Sequence, residues 1–340
     1  MKPKIKYDLV DMLKYRRKHG TESIKDFCEK YLHPVFGYPD VDDNYELIIG
    51  KDPKICFAAH YDSVHSSDGM QELEVSNNIV SLAKGSTSNC LGADCATGVW
   101  LILEMIRSGI EGVYVVHAYE ESGCKGSKAL VKHNPRWLDH CQAVISFDRL
   151  GLDSIITHQS GVRTCSDAFA DSLGSILGMG HYADRNGSYT DSNEYRYLVP
   201  ECTNLSVGYY AQHTKSESQD LTYAVKLLDA LRKADWSKLV IERDPNVIEY
   251  DQETNWRNWG LNYYGNYARG TSYDKGQVSS LSASTEERDS LSAIEEIIDV
   301  FPEAVALLLQ DCWGSPDALL DVLADYGAQT EEAVRYVDLW

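Results

Sequence analysis

Residues 54–62, Lys54-Ile55-Cys56-Phe57-Ala58-Ala59-His60-Tyr61-Asp62, decide how the chain folds. Five apolar residues in succession follow the turn Gly50-Lys51-Asp52-Pro53. The run is too short for a helix and reads as a buried central strand. It ends in a histidine and a carboxylate, and such groups are costly at the end of a buried strand unless they are paired. The same pattern recurs along the chain. The runs 112–118 and 142–147, rich in Val and Ile, are further central strands; Glu120 and Glu121 follow the first and Asp148 ends the second. Residues 45–49 and 205–209 also read as strands, and His213 follows the latter. Helical patterns at 95–108, 127–133 and 219–233 lie between or after these strands, with Asp94 in the loop that enters the first. Strands alternating with helices define an α/β domain with a mixed central sheet and helices on both faces.

In open α/β sheets ligands bind beyond the carboxyl ends of the strands. His60, Asp62, Asp94, Glu120, Glu121, Asp148 and His213 are therefore expected to converge on one crevice. Two imidazoles and several carboxylates held together repel one another unless cations offset the charge. Imidazole and carboxylate together suit zinc, manganese or cobalt.

Working outward, residues 6–33 carry helical spacing interrupted at His19-Gly20-Thr21, where Thr21 is placed to cap a second helix. Near Glu242 the composition changes. Residues 255–284 are rich in Asn, Gly, Ser and Tyr without a regular period, and their aromatics Trp256, Trp259, Tyr263, Tyr264 and Tyr267 suggest packing on a surface. Residues 285–338 return to helical spacing, with Pro302 and Pro316 at first-turn positions. The expected organisation is a catalytic domain over 1–243, a linker or irregular flap over 244–284, and a small all-helical bundle over 285–340. A bundle of that size buries little surface alone and gains from docking, either on the catalytic domain or on a protein partner.

The net charge of −20 argues against nucleic acid and anionic membranes as partners. The first twenty residues contain no signal-like apolar run, and no stretch reaches the roughly 20 apolar residues of a membrane span. The nine cysteines are odd in number and form no CxxC pair, which points to buried free thiols and a cytoplasmic location. HExxH, GxSxG and P-loop motifs are missing. Residues 178–183 fit GxGxxA but follow a helical run, so they read as a turn.

His60-Tyr61-Asp62-Ser63-Val64, Gly92-Ala93-Asp94, Glu120-Glu121-Ser122-Gly123, Phe147-Asp148 and the late His213 together resemble the ligand series of the co-catalytic two-zinc exopeptidases. That group includes bacterial leucyl-type aminopeptidases, glutaminyl cyclases and related deacylases, and the resemblance covers roughly residues 45–235. It implies that Asp94 bridges two metal ions, that His60 and Asp148 complete one site, and that Glu121 and His213 complete the other. It further implies that Asp62 accepts the spare N–H of His60 and that Glu120 is the general base.

The residue after the bridging acid is Cys95, where many relatives carry a second acid and often an unusual peptide bond. Asp191, in the stretch 189–197, is either structural or part of the substrate pocket. His65 is expected to be exposed, His117 to be a hydrogen-bonded core residue, and His181 is a lesser rival of His213. The implied activity is two-metal hydrolysis of a terminal residue from a peptide or small amide, of the aminopeptidase kind. The alternatives are a carboxypeptidase, an N-acyl amide deacylase, a single-zinc cyclase and a binding protein without catalysis.

Overall fold

The computed structural model describes residues 5–133, 138, 140–247 and 249, all within the unit Met1–Asn258. The expected helical bundle at 285–340 lies outside the described residues, as does nearly all of the expected linker or flap at 244–284.

The amino-terminal helices are α1 (Leu9–Leu13), α2 (Glu22–Phe27) and α3 (His33–Phe36), with a π-helical turn over Cys28–Leu32 before the third. The expected break at 19–21 is wider, because residues 14–16 leave the helix to pair with a neighbouring loop. Gln71 donates its backbone N–H to Lys14, Arg16 donates to Gly69, and Tyr15 bridges Met70. Thr21 occupies the cap position of α2 with extended backbone but makes no side-chain cap bond. Asp68 supplies that bond instead, accepting from the backbone of Glu22 and Ser23.

The strands in chain order are β1 (Tyr45–Ile49), β2 (Ile55–His60), β3 (Leu73–Ser76), β4 (Ile79–Leu82), β5 (Gly112–His117), β6 (Ala143–Arg149), β7 (Ser154–Ile156), β8 (His158–Gln159), β9 (Val162–Arg163), β10 (Tyr182–Asp184), β11 (Glu201–Ser206), β12 (Tyr209–Tyr210) and β13 (Ser218–Asp220). The central sheet has seven strands in the order β1-β5-β2-β6-β11-β7-β10. Its middle four run parallel, while β1 joins β5 and β7 joins β11 antiparallel, so the sheet is mixed as expected. A second sheet, β12-β13-β4-β3, contains the hairpin of β3 and β4. Asn77 and Asn78 turn that hairpin with φ of 51° and 63°, as a tight two-residue loop requires. The strand expected at 205–209 is divided: β11 begins four residues earlier, and the chain crosses to the second sheet at Gly208, whose φ is 92°.

The remaining helices are α4 (Ala93–Arg107), α5 (Lys125–His133), α6 (Asp167–Leu177) and α7 (Leu221–Lys233). Residues 178–181 form the turn out of α6, with Gly178 left-handed at its cap, and 182 and 183 already belong to β10. Side chains alternate across the central strands. Ile55, Phe57 and Ala59 of β2 join the core beneath α1, α4, α6 and α7, whereas Cys56 and Ala58 join the core beneath α5. This double burial is why the central strands read as unbroken apolar runs.

Helix α4 lies directly on β2 and β6, and Gly98 makes that approach possible. A Cβ there would stand 2.2 Å from the Phe147 carbonyl oxygen and 3.0 Å from the Ala59 Cβ. Alanine favours a helix interior over glycine by about 1 kcal/mol, but overpacking on this scale costs about 1–3 kcal/mol. Gly98→Ala is expected to lower the urea midpoint with little change in slope.

Candidate metal centre

Strands β2, β5 and β6 lie side by side and end together. His60 closes β2, Asp148 is the penultimate residue of β6, and Glu120 and Glu121 follow β5. The two glutamates occupy a 3-10 turn, Glu120–Ser122, rather than the strand itself. Tyr119 enters that turn in left-handed conformation, with φ of 59°. The adjacent glutamates are thus separated by a turn, not by strand alternation. Asp94 is the second residue of α4, where the helix dipole favours a carboxylate. His213 reaches in from the loop between β12 and β13, itself left-handed with φ of 61°. Non-glycine residues in this conformation are uncommon, and here two of them flank the same crevice.

Among the described residues, three groups of side chains bring one donor atom from each member within 4.8 Å of the others: His60, Asp94 and Asp148; Asp94, Glu121 and His213; and His60, Glu120 and Glu121. Asp94 is common to the first two. His213 Nε2 stands 3.0 Å from Asp94 Oδ2 and 3.0 Å from Glu121 Oε1. His60 Nε2 lies 3.4 Å from Asp148 Oδ1. His60, Asp94 and Asp148 are buried, whereas the His213 side chain is 35% exposed and forms the open side.

The surrounding residues fix these donors. Thr190 Oγ1 and Asn204 Nδ2 donate to Asp148 Oδ2 over 2.9 and 3.3 Å, and Tyr209 donates to the Asp148 carbonyl. Asp62 stands 3.6 Å from His60 Nδ1, too far for the expected hydrogen bond. Its carboxylate instead accepts the backbone N–H groups of Glu120 and Glu121, over 3.1 and 3.2 Å. Asp62 therefore ties the end of β2 to the glutamate turn. Asp191 is buried, accepts from Ser127 Oγ over 2.6 Å, and is pushed up to about 8 by burial.

The electrostatics are those of an acid cluster short of positive charge. Burial, reinforced by the negative Asp148, Glu121 and Asp191, holds the Glu120 carboxyl well above its ordinary range. Burial raises Glu121 to about 7. Burial opposes a charge on His213, but hydrogen bonds to Asp94 and Glu121 overcome it and lift the imidazole to about 12. Burial likewise opposes a charge on His60, and Asp148 and Asp62 overcome it. Asp94 stays below the usual range, because His213, His60 and the Cys95 N–H outweigh its burial. Glu121 Oε1 is buried with the His213 imidazole 3.0 Å away, and His60 Nδ1 is buried without a hydrogen bond. This donor set fits two divalent cations, one per Asp94-containing group, in place of protons.

The other histidines are held elsewhere. His117 bonds Tyr195 and Asn44 in the core, as expected, and His181 bonds Tyr223. His65 is buried, contrary to expectation: Arg17 donates its backbone N–H to Nδ1, and Nε2 faces Gln71 Oε1 at 3.1 Å. Every described peptide bond is trans, including that joining Asp94 to Cys95. Arg149 Nη2 stands 3.4 Å from Asp184 Oδ2. Thr190, Asn204, Tyr209, Arg17 and Glu217 belong to the site's frame without any motif or spacing that marks them. Thr190 borders the already suspect Asp191.

Residues 47–176 match the model of peptidase family M28. No curated protein matches the chain. Among solved structures, the aminopeptidase PepT from Bacillus cereus is similar at 14% identity and a TM-score of 0.52, covering 66% of this chain and 96% of that one. A tripeptidase from Staphylococcus aureus is similar at 13% identity and a TM-score of 0.54, covering 66% and 95%. At such identities the likeness is one of fold. The fold is that of these peptidases, and within it the stretch that is similar to peptidase family M28 carries most of the acid cluster. The M28 stretch holds every expected site residue except His213.

The buried His65 has a consequence for acid stability. Burial, and after it the Arg17 charge, lower its pKa from 6.5 to about 3. The unfolded chain therefore binds a proton that the folded chain refuses, and stability falls as the pH drops below 6.5 toward 3. His65→Gln is expected to remove about 1–2 kcal/mol of the stability lost between pH 7 and pH 5, measured by urea unfolding at both.

Proposed function

We propose that the crevice takes two divalent metal ions, zinc before manganese or cobalt, and that the chain removes the amino-terminal residue from peptides or small peptide-like amides. One observation carries this reading: the Asp94 carboxylate belongs to two separate three-residue groups, each with one histidine and a second acid. His60, Asp94 and Asp148 would hold one ion, and Asp94, Glu121 and His213 the other. Bound there, such a pair lowers the pKa of water toward neutrality and polarises a carbonyl.

The remaining chemistry is proton movement. Glu120 lies outside both Asp94-containing groups yet within 4.8 Å of His60 and Glu121, between the two. It is the general base, carrying the proton of the attacking water to the leaving amine. Asp62 is a positioning residue, since its two oxygens hold the backbone of Glu120 and Glu121.

Recognition of the amino end is supported by the acid excess around the crevice, which suits a substrate ammonium. A carboxypeptidase needs a cation aimed at the terminal carboxylate, usually arginine. Arg149 is engaged with Asp184, and Arg185 is exposed on the loop before Asp191. The partners named by this reading are peptides or small amides, not nucleic acid or membrane. Among the described residues no helix is long and apolar enough to cross a membrane. The eight described cysteines are all free and buried, which supports a cytoplasmic location.

Glu120→Gln should keep the fold and both metal ions but lower turnover by about 10²–10⁴-fold. Near-normal turnover, or loss of metal from that variant, would reject its role. Chelation should abolish activity, and about two equivalents of zinc, manganese or cobalt should restore it. Restoration by one equivalent would favour single-metal chemistry of the cyclase kind, and full activity of a metal-free sample would end the metal reading. A free aminoacyl amide should be cleaved in preference to its N-acetylated form and to N-blocked dipeptides ending in a carboxylate. The reverse order would replace aminopeptidase action with deacylation or carboxypeptidase action.

A further inference from the structure

The turn that presents Asp94 is gripped by two buried charges of opposite sign, neither of which belongs to a ligand group. Glu217 is fully buried. Its Oε2 accepts the backbone N–H groups of Leu91 and Gly92 over 2.9 and 3.2 Å, and its Oε1 accepts that of Ala93 over 2.7 Å. These donors enter and open α4, and the cap residue, Gly92, has no side chain with which to satisfy them. Glu217 thus caps the helix from another part of the chain.

Arg17 is equally buried. Its Nη2 donates to the Gly92 carbonyl and to Cys95 Sγ, and its Nη1 donates to the carbonyls of Met12 and Tyr15. The approach excludes any side chain at position 92. A Cβ there would stand 2.7 Å from Arg17 Nη2 and 2.9 Å from His65 Cε1, and the φ of 70° is itself left-handed. A local capping side chain and the Arg17 clamp are mutually exclusive, so the cap must come from elsewhere. It comes from the loop that also carries His213, whose Nε2 lies 3.0 Å from Asp94 Oδ2.

A helix needs only a cap to begin, and an ordinary Ser or Asp at the cap position supplies one. Burying a carboxylate and a guanidinium around five residues costs far more than that. The gain is geometric. The Cys95 N–H, fixed by the same turn, donates to Asp94 Oδ1 over 2.8 Å, while Asp94 Oδ2 faces His213. Rotation of the turn would move both oxygens of the one carboxylate that the two ligand groups share.

We propose that Glu217 and Arg17 are positioning residues of the metal centre, fixing the 91–95 turn so that Asp94 serves both ions at once. This rests on the two-metal reading above. The test is zinc titration by calorimetry into metal-stripped full chain, with unfolding temperatures measured in parallel. Glu104→Gln is the control. Glu104 is a fully buried carboxylate near the far end of the same helix, bonded to the backbone of Lys6 and Tyr7 and paired with Arg107 and Arg232.

Glu217→Gln and Arg17→Lys are expected to weaken both zinc equivalents by roughly 10–100-fold, the scale for residues that orient metal ligands. Glu104→Gln is expected to lower the unfolding temperature while leaving both zinc affinities as in the wild type. Wild-type affinity in the Glu217 and Arg17 variants, or weakening of one equivalent only, would overturn the proposal. So would equal weakening by Glu104→Gln, which would mark the effect as general loss of stability. If Glu217→Gln does not fold, Arg17→Lys decides on the same readings. A wild-type chain that takes up no zinc would overturn the metal reading itself, and with it this proposal.

Discussion

Like charges packed at one edge of a low-dielectric sheet dominate this molecule. Asp62, Asp94, Asp148 and Asp191 are buried within one crevice, with Glu120 and Glu121 beside them. Each is individually unfavourable there, and together they repel. The histidines relieve part of that repulsion by holding protons well above their ordinary range. Divalent cations do so more completely, because a charge of two can be shared among several carboxylates at once. Binding the ions and tolerating the acids are therefore one property of the fold.

The parallel strands β2, β5 and β6 explain why the acids meet. Their ends coincide, so residues far apart in the chain arrive at the same height above the sheet. The loops then correct what the strands cannot. Asp62 spans from β2 to the turn after β5, and Thr190 and Asn204 hold Asp148 from two further segments. Left-handed backbone at Tyr119 and His213 turns the chain sharply where a regular strand or helix would carry the donor past the crevice.

The central strands were legible because burial on both faces leaves an apolar run that polar residues interrupt only at its end. KICFAAHYD and AVISFD state both the strand and the site in a few letters. The β3–β4 hairpin was less legible, since ELEVS carries charge on exposed positions and its turn is Asn-Asn rather than the commoner Asn-Gly. β11 was placed late, because it starts with a buried glutamate, Glu201. The backbone N–H groups of Ser166, Glu242 and Arg243 bond that carboxylate, and all three are remote in sequence. His65 was misjudged for the same reason: its partners Arg17 and Gln71 come together only in three dimensions. Candidate ligands announce themselves by residue type at a strand end, whereas the residues that hold them are ordinary polar residues whose role depends on a distant neighbour.

The clamp on the Asp94 turn draws one arm from residue 17 and the other from residue 217. Contacts of such long sequence separation close late, since the intervening chain must first be ordered. On a ribosome, the segment bearing His213 and Glu217 emerges after the other residues of the acid cluster. Until then the acid cluster lacks its outer histidine and the turn lacks its cap. On the two-metal reading proposed above, the centre is complete only when the far side of the domain has been made.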